Sequence, residues 1–320
     1  MRETKRILVT GATGKVGQTF LRRLFADSRF DAFIIRALCH RRRPGPHERL
    51  EIVSGSIEHR AVVEAALAGV THVVHLASVK QTPETAMDVD VKGLFWLLET
   101  CRLSRTFEQF ILLGGDNVVG HYHYSHPVPV TENQPYTPTP ASCYALSKVL
   151  AEVMLKQYYI QYDLNGCCLR APWIMAQDDF RNHLSFAKGA FGANWWKWVG
   201  EERAEEYARA QAVPVMLDPN GEPVKRNFVH VEDVAGAILT AIDHPKTRQQ
   251  TFHICMNEPV DYRELGNYLA ETRGLPTVDV QTPYYSTWLD NSKIKFLLGW
   301  RPEYDMKKMA DAAWDYAQSR

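Results

Sequence analysis

Tyr144 and Lys148, in the run Tyr144-Ala145-Leu146-Ser147-Lys148, put a phenol and an ammonium four residues apart, which in a helix is one face. That pairing suits proton transfer to or from an alcohol. A phenol ordinarily titrates near ~10 and shuttles protons poorly at neutral pH, whereas a neighbouring ammonium favours the phenolate. Such a pair also arises on many solvated helices, so its meaning depends on what else the chain carries. Pro138 and Pro140 precede the segment, and Ser142 or Thr139 is placed to cap its first turn.

A second constellation supplies that context. Thr10-Gly11-Ala12-Thr13-Gly14-Lys15-Val16-Gly17 directly follows the apolar run Ile7-Leu8-Val9 and opens a stretch with helical spacing. The first glycine permits a sharp turn, the second a close approach by a pyrophosphate, and the third tight packing of helix on strand. The helix start then offers unpaired N–H groups to the anion. Gly11, Thr13, Gly14, Lys15, Val16 and Gly17 are therefore expected to hold a nicotinamide dinucleotide, with Tyr144 and Lys148 supporting proton and hydride chemistry on a hydroxyl. The next apolar run leads through Ile35-Arg36-Ala37-Leu38-Cys39-His40 into Arg41-Arg42-Arg43 without a carboxylate. A carboxylate there would bind the adenosine ribose, and an arginine accommodates a 2′-phosphate, so His40 and Arg41 predict NADP in preference to NAD.

The elements that must position these residues follow from the hydrophobic pattern. Ile7-Leu8-Val9, Phe33-Ile34-Ile35, Val73-Val74-His75-Leu76, Phe110-Ile111-Leu112-Leu113 and Cys167-Cys168-Leu169 read as buried strands. Val16 to Phe25, Ala61 to Leu67, Val91 to Cys101 and Tyr144 to Tyr159 have helical spacing between them. Such alternation predicts an α/β fold, a Rossmann-type doubly wound parallel sheet with a smaller C-terminal substrate lobe. Residues 1–176 are expected to form the dinucleotide-binding domain and 177–320 mainly the substrate lobe. The stretch Arg226 to Val234 reads as a strand and a helix start, implying a return to the main domain near 226–256.

Composition narrows the partners. The 320 residues carry 37 basic and 37 acidic side chains, so no global charge draws the chain to nucleic acid or anionic membrane. No apolar run is long enough to span a bilayer, nothing at the start resembles a signal peptide, and a cytoplasmic address is expected. Cys39, Cys101, Cys143, Cys167, Cys168 and Cys255 form no zinc-ligand spacing and read as reduced thiols. His121, His123 and His126 lack neighbouring carboxylate or thiolate ligands, so a lid over the substrate is expected there and no metal. Phe191, Trp195, Trp196 and Trp198 read as lobe core or a subunit interface rather than a sugar-stacking platform.

The chain resembles the extended short-chain dehydrogenase/reductases, the NAD(P)-dependent sugar epimerase/dehydratase family. GxxGxxG and Tyr144…Lys148 are joined by His75-Leu76-Ala77-Ser78, by Asp90-Val91-Lys92-Gly93, by Arg226-Asn227-Phe228-Val229-His230-Val231-Glu232-Asp233-Val234, similar to RDFIHVxDVA, and by Lys293 to Pro302, similar to KxxxxLGWxP. The resemblance implies cofactor contacts from Leu76, Ala77, Ser78, Lys80, Asp90, Ser56, Ile57 and Pro172, and substrate contacts from Lys80, Asn117 and Arg226. In the family that arginine often contacts a nucleotide phosphate. It also implies a homodimer, because similar members pair the helices here spanning Val91 to Cys101 and Val149 to Tyr159.

Three departures stand out. Gly114-Gly115-Asp116-Asn117-Val118-Val119-Gly120 replaces SSxxVYG, so Gly115 stands where a catalytic Ser or Thr is expected. Asp116 matches the acid of the dehydratases, but Asn117 replaces their glutamate, which argues against elimination. Gly55-Ser56-Ile57 lacks the aspartate that contacts adenine. Asp116 and Asn117 thus join Tyr144 and Lys148 as candidate catalytic residues. The implied activity is oxidation, reduction or epimerisation at a sugar hydroxyl, the sugar being nucleotide-linked. The alternatives are a dehydrogenase of a free sugar or uronic acid, and a cofactor-binding sensor without turnover.

Overall fold

The computed structural model describes residues 4–79, 82–126, 128–140, 142–189 and 194–318. Strands β1 (Arg6–Thr10), β2 (Ile34–Cys39), β3 (Leu50–Ser54), β4 (His72–His75), β5 (Gln109–Gly115) and β6 (Gly166–Ala171) join Gln250–His253 in one seven-stranded sheet. Its order is Gln250–His253, β6, β5, β4, β1, β2, β3, with every pair parallel. β1 is flanked by β2 on one side and β4 on the other, so the chain reverses its winding there and opens a crevice at the carboxyl ends of the strands.

The near-continuous apolar strands follow from burial on both faces. Ile7 and Val9 enter a core with Phe20, Leu24, Ile35 and Ile238, whereas Leu8 enters the opposite core with Leu97, Leu98, Phe110 and Leu155. Successive side chains alternate across the sheet, and helices cover both sides. Helix α1 (Lys15–Phe25) buries Val16, Phe20, Leu21 and Leu24, a stripe at helical spacing, and packs on the helix Val231–Ala241. Each such large apolar side chain contributes roughly 1.5–3 kcal/mol on burial.

Beyond β6 the chain makes the short strand Trp173–Met175, paired in parallel with Phe228–His230. A separate apolar cluster gathers Phe180, Phe186, Trp195, Phe228, Leu265, Leu269 and Trp314. Trp195 is buried and donates its indole N–H to the His183 carbonyl at 2.8 Å, while Trp198 is 41 % exposed; Phe191 lies outside the described residues. The helix Ser292–Leu298 sends Ile294 and Leu298 into the core shared by β1 and α1. Among the described residues no helix is long and apolar enough to cross a membrane.

Candidate active site

The turn between β1 and α1 is built around absent side chains. Gly11 has φ +70°, and a Cβ there would stand 2.7 Å from Ala77 N and from Leu76 C. A Cβ on Gly17 would stand 2.3 Å from the Gly11 carbonyl oxygen. Gly14 donates its N–H to the Gly11 carbonyl at 3.0 Å and is the residue from which α1 starts, with no side-chain cap and no acidic residue in the first turn. The N–H groups of that turn are therefore left to an anion, and the cradle fits a dinucleotide pyrophosphate. Lys15 turns its ammonium outward to the Ile174 carbonyl at 3.2 Å and to the Asp179 carboxylate.

The register Thr10↔His75 between β1 and β4 sets the floor beside this turn. Thr10 Oγ1 lies 2.7 Å from His75 Nδ1 and accepts the N–H groups of Leu76 at 3.2 Å and Ala77 at 3.3 Å. With both acceptor positions used, the hydroxyl proton goes to His75 Nδ1, which leaves the ring proton on Nε2. Burial pushes His75 down to about 3, and the Lys148 charge acts the same way, so the ring is neutral.

Tyr144 and Lys148 lie in the helix Cys143–Tyr162. Of the two candidate caps, Ser142 is the one used, its hydroxyl accepting the Ala145 N–H at 3.1 Å. Lys148 Nζ sits 5.3 Å from the centre of the Tyr144 ring, and Lys148 is only 8 % exposed. This face of the helix is tied to Asp90, whose Oδ2 lies 3.0 Å from Ser147 Oγ and 3.2 Å from Ser78 Oγ, while Oδ1 accepts the Val79 N–H at 3.1 Å. Burial raises the Asp90 carboxyl, opposed first by the Lys148 charge. Asp90 lies in Ala86–Gly93, which winds as a π-helix and not as the start of a regular α-helix, and α-helical winding begins only at Leu94.

At the end of β5, Gly115 has ordinary extended backbone, so its lack of a side chain is a matter of space. A Cβ there would lie 2.9 Å from Asn117 Oδ1. The amide of Asn117 has folded back over the position from which the family's hydroxyl would project. Asp116 is buried, with Oδ1 3.2 Å from His121 Nδ1; burial, with the Arg226 charge second, drives His121 well below its usual range. The expected lid is a packed wall at this point: His121 stacks on Tyr122, Tyr122 and His123 meet Tyr284 edge-on, and the Tyr285 N–H bonds the Tyr122 carbonyl at 2.8 Å.

Other expected contacts divide. His40, Arg41 and Arg42 are exposed beyond β2, and Arg42 lines clefts shared with Thr13 and Gln18. Ser56 and Ile57 are buried; Ile57 belongs to the core with Leu8 and Leu38 and lies where a Cβ on Gly93 would be, at 2.8 Å. Pro172 is buried directly after β6, and Lys80 lies outside the described residues. Arg226 is buried between Tyr122 and Trp173. Sequence reasoning missed Thr10, Ser147 and Glu152. Glu152, one turn beyond Lys148, holds Arg170 bidentately at 3.1 and 2.7 Å, and a Cβ on Gly114 would stand 3.0 Å from its Oε1. The spacing of Tyr144, Lys148 and Glu152 at four-residue intervals was the available signal.

Comparison with known proteins agrees with this geometry. The model of the NAD dependent epimerase/dehydratase family matches residues 7–255. A UDP-glucose 4-epimerase of Mycolicibacterium smegmatis is 28 % identical over 93 % of this chain and 94 % of its own. A short-chain dehydrogenase/reductase superfamily protein from Agrobacterium tumefaciens, solved with NAD, superposes with a TM-score of 0.80 at 24 % identity, covering 98 % of both chains. A UDP-glucose 4-epimerase from Thermotoga maritima, solved with UDP-glucose, gives 0.75 at 21 % identity, covering 98 % of this chain and 99 % of that one.

Proposed function

Because the chain belongs to the NAD dependent epimerase/dehydratase family, within the extended short-chain dehydrogenase/reductases, we propose that it oxidises, reduces or epimerises a sugar at a hydroxyl held by Tyr144. The observation that carries this reading is Lys148 Nζ, 5.3 Å from the Tyr144 ring centre on a buried helix face. The nicotinamide, when bound, supplies hydride acceptance and return. Tyr144 Oη takes the proton from the sugar hydroxyl or gives it back, and Lys148 favours the phenolate during that exchange. Asn117 supplies the second polar contact to the substrate oxygen, in place of the hydroxyl that Gly115 lacks. Asp116, buried against neutral His121, buttresses that loop. The intact Tyr144–Lys148 pair supports turnover over a cofactor-binding sensor. The sugar itself, nucleotide-linked or free, is selected by the loops around Arg226.

Three further parts of this reading rest on separate observations. NADP is favoured over NAD because Arg41 and Arg42 stand exposed beyond β2 with no carboxylate at the strand end. A homodimer is favoured because Phe95, Leu103, Ile160 and Tyr162, on the two helices that flank β4 and β5, expose 39 %, 64 %, 67 % and 46 % of their surface. A cytoplasmic setting accords with six cysteines that are all free, five of them buried.

The decisive experiment is Tyr144→Phe. The variant should lose turnover by roughly 10²–10⁴-fold, the usual contribution of a positioned acid/base, with dinucleotide affinity nearly unchanged because the Gly11–Gly17 turn is untouched. Turnover at the wild-type rate would remove Tyr144 from the chemistry.

A further inference from the structure

Tyr144, Ser147 and Lys148 stand at positions i, i+3 and i+4 of the helix Cys143–Tyr162, so the three share one face. A carboxylate meets that face. Asp90, 4 % exposed, receives the Ser147 hydroxyl at 3.0 Å and the Ser78 hydroxyl at 3.2 Å on Oδ2, and the Val79 N–H at 3.1 Å on Oδ1. Donors from two stretches of chain fix it there. Hydrogen bonds of this kind favour the ionised carboxyl, whereas burial opposes it. A buried charge is kept where an opposite charge answers it, and the ammonium of Lys148, also buried, is the charge that acts on this carboxylate.

The other titratable groups around this face do not take that place. His75, from β4, feels the Lys148 charge but is neutral. Asp88 and Lys92, on the same π-helical stretch as Asp90, bond each other at 2.7 Å at the surface, and Glu84, one turn earlier, is exposed. Glu152, one turn beyond Lys148, is taken up by Arg170 through both of its oxygens. Lys80, next to Val79, lies outside the described residues. Of the described groups named here, Asp90 alone is a carboxylate that is buried and committed to no other cation.

The two charges act on Tyr144 in opposite directions. An ammonium favours the phenolate, and a carboxylate on the same helix face offsets part of that effect. Resting on the reading of Tyr144 as the acid/base, we infer that Asp90 is a positioning residue: it is the counter-charge of Lys148 and holds Tyr144 as the neutral phenol, the form that gives a proton. The resting site is then set for reduction of a ketone. The carbonyl carbon accepts a hydride from the reduced dinucleotide, the carbonyl oxygen takes the Tyr144 proton to become a hydroxyl, and Tyr144 regains a proton from water.

The test is Asp90→Asn, which removes the charge and keeps the contacts, since the amide oxygen accepts the Val79 N–H and the amide NH2 can donate to both serine oxygens. The full chain is labelled with 13C at tyrosine Cζ and titrated by NMR, the Tyr144 signal being the one lost in Tyr144→Phe. In the wild type Tyr144 should be a phenol at pH 7, and Asp90→Asn should lower its titration midpoint by roughly one pH unit, a tenfold change in the phenol-to-phenolate ratio. A merely structural role would not move that midpoint. From the other side, Lys148→Met should raise the midpoint of the Asp90 carboxyl, followed at 13C-labelled Cγ, by a similar amount. That measurement decides the matter if Asp90→Asn does not fold. A Tyr144 midpoint equal in wild type and Asp90→Asn, an Asp90 carboxyl indifferent to Lys148→Met, or a wild-type Tyr144 already ionised at pH 7 overturns the inference. A Tyr144 midpoint raised by Lys148→Met but unmoved by Asp90→Asn would leave the Tyr144 and Lys148 reading intact and remove this one. Turnover indifferent to Tyr144→Phe, with the midpoint still lowered by Asp90→Asn, would do the reverse.

Discussion

Asn117 Oδ1 lies 2.9 Å from the point at which a Cβ on Gly115 would stand, so the two positions compete for one volume at the end of β5. Gly115→Ala and Gly115→Ser must both displace the Asn117 amide. Each is expected to lower kcat, the serine included, because the restored hydroxyl comes at the expense of the group now placed there. Asn117→Ala should lower kcat by roughly 10²-fold, the usual loss for one positioned donor or acceptor at a reacting oxygen. Steady-state kinetics on the three variants checks this, and a Gly115→Ser enzyme faster than wild type would show that Asn117 does not fill the role.

Cofactor choice is expected to follow the exposed basic loop. Calorimetric titration should give tighter binding of NADP than of NAD, and Arg41→Asp combined with Arg42→Asp should remove roughly tenfold or more of that preference, as expected for losing charge-assisted contacts to one phosphate. NAD binding as tightly as NADP in the wild type would defeat the expectation.

Stability is expected to fall as pH is lowered from about 6.5. Burial holds His75 and His183 at about 3, His230 at about 4, and His121 and His253 well below their usual range. In each case the folded value lies below the unfolded one, so between the two the unfolded chain binds more protons. Stability is therefore complete above the unfolded value and is lost as pH falls toward the folded one. Each histidine contributes up to about 1.4 kcal/mol per pH unit inside that window. Asp90, Glu132 and Asp233, whose carboxyls are raised by burial, oppose the trend at the acid end. Urea denaturation at pH 7.5, 6.5 and 5.5 should show the midpoint dropping mainly in the second interval, and His183→Phe should flatten the slope.

Association is expected to depend on the apolar surface of the helices Leu94–Leu103 and Cys143–Tyr162. Sedimentation at micromolar concentration should show a dimer, and Ile160→Glu together with Leu103→Glu should give a monomer with unchanged circular dichroism. A wild-type monomer, or a double variant that still pairs, would exclude this face.

Some of this site is written in short-range sequence and needs no fold to be read. Tyr144 and Lys148 share a face because a helix repeats every 3.6 residues, and Ser142 caps that helix because its hydroxyl reaches a backbone N–H three residues on. The glycine turn is legible for the same reason, since Gly17 is demanded by neighbours within the turn itself, the Gly11 carbonyl and Ala12, and Gly14 lies close to that same carbonyl. The alternation of strands and helices carries the parallel sheet, because strands buried on both faces are apolar throughout.

What the tertiary structure alone decided joins residues distant in the chain. Gly11 must lack a side chain because Leu76 and Ala77 arrive against it, and Thr10 reaches His75 across 65 positions only because β1 and β4 pair in that register. The π-helical turn at Asp90 forms where Ser78, Val79 and Ser147 converge on one carboxylate, which a periodicity read as ordinary helix could not show. Arg226 reads in sequence as a contact for phosphate. Only the fold places its guanidinium between Tyr122, from beyond β5, and Trp173, from beyond β6, and buries it there. Residue types and near spacing determine which chemistry is available; the register of strands far apart in sequence determines which atoms meet, and so what that chemistry can act on.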